Sequence, residues 1–152
     1  MIFTSPYSPS DMILSVHSLK DSIEGLLTGI RHMGKFEIKF TSVINEYTDC
    51  SLARDKKLAF LRIMMARLGN IIRYSPAKRV RVSLMQLNMD IILYIYDDGA
   101  GPDGRDVHQQ RSMSFIDARV RSFGGRMDIL TTPDGGYSVT VLLPYHSLST
   151  TT

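Results

Sequence analysis

Two stretches of the chain repeat apolar residues at the three- and four-residue steps that one face of an amphipathic helix requires. The first covers residues 11–33, with Ser18 as a candidate break, and Gly34 follows it in the usual position of a helix-ending glycine. The second covers residues 55–74, and Pro76 closes it because the residue before a proline avoids helical geometry. The pattern therefore predicts two long helices, each with one apolar face.

Alternating apolar and polar residues predict strands between and after these helices. Phe36, Ile38 and Phe40 alternate with polar residues, and later segments follow the same two-residue period. The five predicted strands cover residues 36–41, 80–84, 91–97, 127–131 and 137–143. A third helix is predicted over residues 112–123, and the polar stretches 45–54 and 102–111 are predicted to be loops.

The predicted order is helix, strand, helix, strand, strand, helix, strand, strand. Strands that follow one another without an intervening helix have short connections, so much of the sheet is expected to be antiparallel. The sequence therefore predicts an α/β (α+β) fold, a two-layer sandwich in which helices cover one face of a mixed, largely antiparallel sheet. The predicted domain covers residues 11–146, with an irregular N-terminal arm over residues 1–10 and a flexible tail over residues 147–152.

Composition narrows the class of protein only a little. The chain has 152 residues, of which 43% are hydrophobic and 22% charged, and this is an ordinary globular balance. A net charge of +3 is too small to favour a nucleic-acid partner. The single cysteine, Cys50, excludes an internal disulfide and fits a cytoplasmic location. No apolar run approaches the roughly twenty residues of a membrane span, so none is expected.

The most distinctive local motif is Asp-Asp-Gly-Ala-Gly at residues 97–101, directly after the predicted strand 91–97. A carboxylate at the end of a strand can accept a hydrogen bond from a ligand amine. Gly99 and Gly101 would leave room for a ligand close to the backbone. Such a sequence also occurs in plain turns between strands, so the motif alone does not establish a site.

Four segments of the chain together carry a resemblance to a known family. They are Arg62-Ile63, residues 70–84, residues 97–101, and the block 118–144 with its Gly124-Gly125 and Gly135-Gly136 pairs. In this order and spacing they resemble the ATP-binding domain of sensor histidine kinases, the GHKL or Bergerat fold, in a subgroup with a short ATP lid. The resemblance runs from about residue 58 to residue 144.

The resemblance implies a role for each residue that matches the family pattern. Asp97 would accept a hydrogen bond from the exocyclic amine of adenine, with Gly99 and Gly101 allowing close packing. Asn70 would offer its amide oxygen to a magnesium ion that bridges the phosphates, since magnesium prefers hard oxygen ligands. The remaining implied ligand-binding residues are Arg73, Tyr74, Arg111 and Ser112. The cofactors implied are ATP and magnesium, either of which the chain could bind weakly or not at all.

The chain departs from the family at positions that concern chemistry rather than fold. The family has a glutamate base one helical turn before the asparagine, and this position is Ala66 here. Loss of a general base costs on the order of a hundred- to ten-thousand-fold in rate. The family's histidine four residues after the asparagine is Tyr74. Its second glycine box corresponds to Gln110-Arg111-Ser112-Met113, where Arg111 would offer charge to a phosphate and Ser112 would cap the helix.

Three functions remain open on this reading. The first is the ATP-binding catalytic domain of a two-component sensor histidine kinase, without phosphoacceptor helices and weakened in or deficient for phosphoryl transfer. The second is a non-catalytic pseudo-ATPase that works through protein contacts, and the third is a partner-switching regulator of the anti-sigma kind. Enzymatic activity is uncertain, and no catalytic residue is assigned. The partners implied are a histidine-bearing dimerisation domain or a response regulator of the same pathway.

Overall fold

The computed structural model describes residues 18–99, 107–132 and 135–145. The N-terminal arm, the tail and Gly101 lie outside these ranges. Four helices are described: α1 (Leu19–Arg31), α2 (Glu46–Ser51), α3 (Arg54–Tyr74) and α4 (Val107–Ser122). None of these described helices is long and apolar enough to cross a lipid bilayer. The described strands are β1 (Glu37–Val43), β2 (Arg79–Leu87), β3 (Asp90–Asp97), β4 (Arg126–Thr131) and β5 (Tyr137–Pro144).

The five strands form one mixed sheet in the order β1-β2-β3-β5-β4. β1 pairs in parallel with β2, and every other neighbouring pair is antiparallel. The predicted mixed and largely antiparallel sheet is therefore confirmed. Asn88 adopts a φ of 56° in the turn between β2 and β3, which is where the sequence predicted a hairpin.

The helices cover one face of this sheet, and the core lies between the two layers. Residues at alternate positions along the strands are buried on that face, including Val82, Leu93, Ile95 and Val141. Tyr94 and Tyr96, on the opposite face, are only partly buried. This one-sided burial is what an antiparallel sheet with a single helical layer requires, and it gives each strand its two-residue pattern.

The start of α1 is fixed by a residue distant in the sequence. Ser18 is the N-cap, and its side chain accepts a hydrogen bond from the backbone N–H of Asp21. The carboxylate of Asp49, in α2, accepts bonds from the backbone N–H groups of Leu19 at 2.6 Å and Lys20 at 3.1 Å, and from the Ser18 hydroxyl. These contacts fix the start of α1 directly after Ser18 and satisfy helix N–H groups that lack intrahelical partners, while residues 11–17 of the predicted helix lie outside the described residues.

Two sequence predictions were wrong. The stretch 45–54 was predicted to be a loop, but it contains α2, whose N-terminus is capped by the Asn45 side chain. A helix of six residues is too short to show an apolar stripe, so periodicity missed it. The third long helix was predicted to start at residue 112, but α4 begins at Val107. Its first turn, Val107 to Gln110, is polar apart from the valine, so the apolar stripe begins only later at Met113.

We expect Asp49→Ala to lower the free energy of unfolding by about 1–3 kcal/mol, because it removes a buried acceptor from two helix N–H groups. Urea denaturation followed by circular dichroism measures this change. Glu24→Ala, at an exposed position in the middle of α1, is the matched control and should change stability by less than about 0.5 kcal/mol. Equal stability of the two variants would show that α1 does not depend on its contact with α2.

Candidate functional site

The candidate site is built around Asp97, the last residue of β3. Ile91, Leu93 and Ile95 point into the core, and the same alternation brings Asp97 inward. Its side chain is 0% exposed. A carboxylate in such a position requires partners, because an unpaired buried charge is strongly destabilising.

Both oxygens of the Asp97 carboxylate are engaged. Oδ2 lies 2.7 Å from Nη2 of Arg67, which approaches from α3. Oδ1 accepts bonds from the Ser75 hydroxyl at 3.1 Å and from the backbone N–H of Gly99 at 2.9 Å. Asp97 is therefore satisfied entirely by groups of its own chain.

Position 99 requires a glycine because the Ser75 side chain lies very close to its Cα. A methyl group on its Cα would collide with the Ser75 hydroxyl and would lie 2.9 Å from Oδ1 of Asp97. The glycine thus lets the turn after β3 fold against the carboxylate. The space it provides is filled by Ser75.

Arg67 is the second half of the site. It lies three residues before Asn70 on α3, its side chain is 2% exposed, and its guanidinium carbon is 4.6 Å from the centroid of the Tyr137 ring. Burial lowers the pKa of the Arg67 guanidinium, and the negative charge of Asp97 opposes that shift. Burial likewise raises the pKa of the Tyr137 phenol, an effect that the charge of Arg67 reduces. The three side chains form a closed cluster of one cation, one anion and one aromatic ring.

One atom of this cluster has no partner. Nε of Arg67 is buried and makes no hydrogen bond to the described residues. An unsatisfied buried donor costs about 1–3 kcal/mol. The ion pair and the ring contact must offset that cost, since the arginine remains inside the core.

Asn70 lies one turn beyond Arg67 and is 3% exposed. Its amide nitrogen donates to the Ser112 hydroxyl at 3.1 Å, so α3 and α4 bring these two predicted site residues together. Its amide oxygen, the atom that magnesium would use, accepts no bond from the described residues. Nor is there any group of three His, Cys, Asp or Glu in the described parts of the chain that could hold a metal ion. One neutral oxygen would hold magnesium only together with the phosphates of a bound nucleotide.

The other predicted residues in the described part of the chain make no hydrogen bond to Asp97. Arg73 is exposed, and its Nη2 lies 3.3 Å from the place of a methyl group on Gly69, so its side chain runs along the surface of α3. Tyr74 is 40% exposed at the end of the same helix. Arg111 and Ser112 lie inside α4 and line an open groove of about 440 Å³ between α3 and α4. Ala66 lies in the wall of this groove.

Sequence reasoning missed Arg67, although two signals pointed to it. Phe60, Ile63, Arg67 and Ile71 follow one another at three- and four-residue steps, and the other three are core residues. An arginine in a core stripe needs a buried acid, and the alternation along β3 supplies Asp97. Ser75 and Tyr137, the other partners in the cluster, carry no comparable signal in the sequence.

Comparison with known proteins finds sequence relatives that are named as histidine kinases. No family model matches the chain. The chain is 30% identical over 146 residues to an uncharacterized sensor-like histidine kinase of Chloroflexus aurantiacus, a match that covers 90% of this chain and 24% of that protein. It is 33% identical over 95 residues to the sensor histidine kinase ComP of Bacillus subtilis, covering 60% of this chain and 12% of that protein. The chain therefore spans a quarter or less of the length of these relatives.

Solved structures show the same fold at lower sequence identity. The histidine kinase AdeS of Acinetobacter baumannii matches with a TM-score of 0.64 and 14% identity, over 91% of this chain and 74% of that chain. The blue-light activated histidine kinase EL346 of Erythrobacter litoralis matches with a TM-score of 0.72 and 15% identity, over 95% of this chain and 47% of that chain.

We expect Arg67→Met and Asp97→Asn each to lower the free energy of unfolding, with the loss of Arg67 costing about 3–5 kcal/mol because it leaves a buried carboxylate uncompensated. The double variant should recover most of that loss, since neither charge then remains. A double-mutant cycle by urea denaturation measures the coupling. Additive effects of the two substitutions would show that the pair does not act as a unit.

Proposed function

We propose that this chain, which has the fold of GHKL-type histidine kinase domains and whose sequence relatives are sensor histidine kinases, is an ATP-binding-type domain that has lost strong nucleotide binding. In this proposal it transfers no phosphoryl group at a useful rate and acts through contacts with other proteins. The single observation that supports this most strongly is the bond between Arg67 and Asp97. The arginine takes the place that the family resemblance gives to the adenine amine.

The geometry at Asp97 explains why adenine would bind poorly. The carboxylate is fully buried and accepts bonds from Arg67, Ser75 and Gly99. An adenine amine could reach it only after Arg67 left, and the departing guanidinium would give up both its ion pair and its contact with Tyr137. A neutral amine donor does not replace a charge-assisted hydrogen bond at equal strength. The exchange is therefore unfavourable before any other contact is counted.

The catalytic side of the site is also incomplete. Ala66 stands where the family has its glutamate, and an alanine cannot take a proton or orient a reacting group. The residues present would not hold magnesium without nucleotide phosphates, as noted for Asn70. Weak binding of the nucleotide therefore implies weak binding of magnesium. We derive no phosphoryl-transfer step for this chain.

The proposal places the domain in a two-component signalling pathway. Its sequence relatives are sensor histidine kinases several times longer than this chain. A histidine-bearing dimerisation domain or a response regulator is the expected partner. A cytoplasmic location is part of the same proposal, in keeping with a single cysteine that forms no internal disulfide.

Isothermal titration with ATP and magnesium tests the proposal. We expect the wild-type chain to bind ATP with a Kd on the order of 1 mM or weaker, corresponding to no more than about 4 kcal/mol. Arg67→Ala should bind ATP more tightly, because it opens the space at Asp97 and leaves that carboxylate in need of a donor. The double variant Arg67→Ala with Asp97→Asn is the matched control and should lose the gain.

Thermal denaturation gives a second readout on the same variants. If the Arg67→Ala site is filled to one hundred times its Kd, ATP should stabilise that variant by about 2.7 kcal/mol and leave the wild type almost unchanged. Micromolar binding of ATP by the wild-type chain that Asp97→Asn abolishes would contradict the proposal. So would measurable ATP hydrolysis or histidine phosphorylation by the unmodified chain.

A further inference from the structure

The groove between α3 and α4 is a second feature of the molecule, distinct from the buried cluster at Asp97. Its floor is apolar, formed by the buried side chains of Ile63 and Ile116. Phe115 lines one side and is 70% exposed, although it is a large aromatic residue. An exposed aromatic side chain over an apolar floor is typical of a protein contact surface.

The rim of the groove is strongly cationic. Arg62 of α3 supplies one guanidinium group, and Arg111 and Arg119 of α4 supply two more. All three are exposed, and none of their side chains makes an ion pair or hydrogen bond within the part of the chain that the structure describes. Among the described residues, no acidic side chain lines the groove. Ala66, at the position of the family's glutamate, leaves it without the negative charge that would repel an acidic ligand.

The walls of the groove also restrict the backbone of an occupant. They are two helices, whose backbone N–H and C=O groups are already bonded within each helix. An extended peptide would find no backbone partners there, so the occupant must satisfy its own backbone hydrogen bonds. A helix does so. The lining residues of α4 run from Arg111 to Arg119, a length of about 12 Å, which matches roughly two turns of a docked helix.

We propose that this groove binds an amphipathic helix of a partner protein, with apolar side chains seated on Ile63, Ile116 and Phe115 and carboxylates paired with the three arginines. Carboxylates suit guanidinium groups because they accept two parallel hydrogen bonds. The inference rests on the proposed function, to which it adds the chemistry of the partner. Its test uses no ATP and leaves Asp97 unchanged, although Arg111 and Ser112 belong both to the groove and to the predicted ligand-binding residues.

The test uses a fluorescein-labelled peptide of about 18 residues, long enough to form a helix in water when rich in alanine. Leucines occupy positions i, i+3 and i+7, and glutamates flank them on both sides. We expect the full chain to bind it in fluorescence anisotropy with a Kd on the order of 100 µM or tighter. Binding should weaken as salt rises, because the rim charges are exposed.

Variants of the chain locate the binding. Phe115→Ala should weaken binding about tenfold or more, as is typical of an aromatic anchor. Reversing the rim charges, with Arg62→Glu, Arg111→Glu and Arg119→Glu combined, should weaken it at least tenfold. Arg54→Glu, an exposed reversal of one charge on α3 outside the groove, is the control for a single reversal and should leave binding within about twofold. Circular dichroism checks that each variant is folded.

Control peptides identify the occupant. A peptide with lysines in place of the glutamates should not bind, and neither should an acidic peptide with two central prolines, which break its helix. If either control peptide binds as well as the acidic helix, the proposal is overturned. It is also overturned if tripolyphosphate, at a matched concentration of charge, displaces the acidic helix completely, because the groove would then be a site for small anions. Failure of the acidic helix to bind at about 1 mM would also overturn it. A wild-type chain that binds ATP tightly yet also binds the peptide would contradict the proposed function alone.

Discussion

The structure depends on one buried ion pair, between Arg67 of α3 and Asp97 at the end of β3. It joins the helical layer to the sheet at the point where the turn with Gly99 and the segment with Ser75 meet, and Tyr137 of β5 covers it. Taking two charges out of water is costly, and a pair of this kind is kept in place because either charge alone would be worse. The same ion pair therefore holds α3 on the sheet and occupies the Asp97 carboxylate.

Because of this ion pair, the carboxylate of Asp97 contributes to the fold of the domain and is not available to a ligand. A carboxylate can bind a ligand only if the protein leaves it an open bonding position, and here the chain supplies every donor itself. The adjacent groove shows the opposite arrangement, since its three arginines have no acidic partner among the described residues. Charge is thus satisfied at Asp97 and unsatisfied on the surface between α3 and α4. Such a distribution favours a domain that contacts a partner over one that turns over ATP.

The sequence predicted the fold well, because its strands and long helices each have one apolar face. The sheet followed from that periodicity, and the hairpin at Asn88 followed from the turn residues between two predicted strands. The short helix α2 did not, since its stability comes from the Asn45 cap and from the contact of Asp49 with α1, which are local and long-range polar contacts that a hydrophobic pattern does not contain. Family resemblance singled out Asp97 and Asn70, but not Arg67, although the arginine occupies a core position on its helix. The lesson is that a charged residue in a core stripe should be paired with an inward-facing acid before that acid is assigned to a ligand.

The central claim, that Arg67 holds Asp97 in place of adenine, is tested most directly by a crystal structure of the chain grown with saturating ATP and magnesium. The account predicts that Arg67 and Asp97 are about 2.7 Å apart in that crystal and that no adenine density lies between them. An adenine amine within hydrogen-bond distance of Asp97, with the Arg67 side chain turned out of the core, would contradict it.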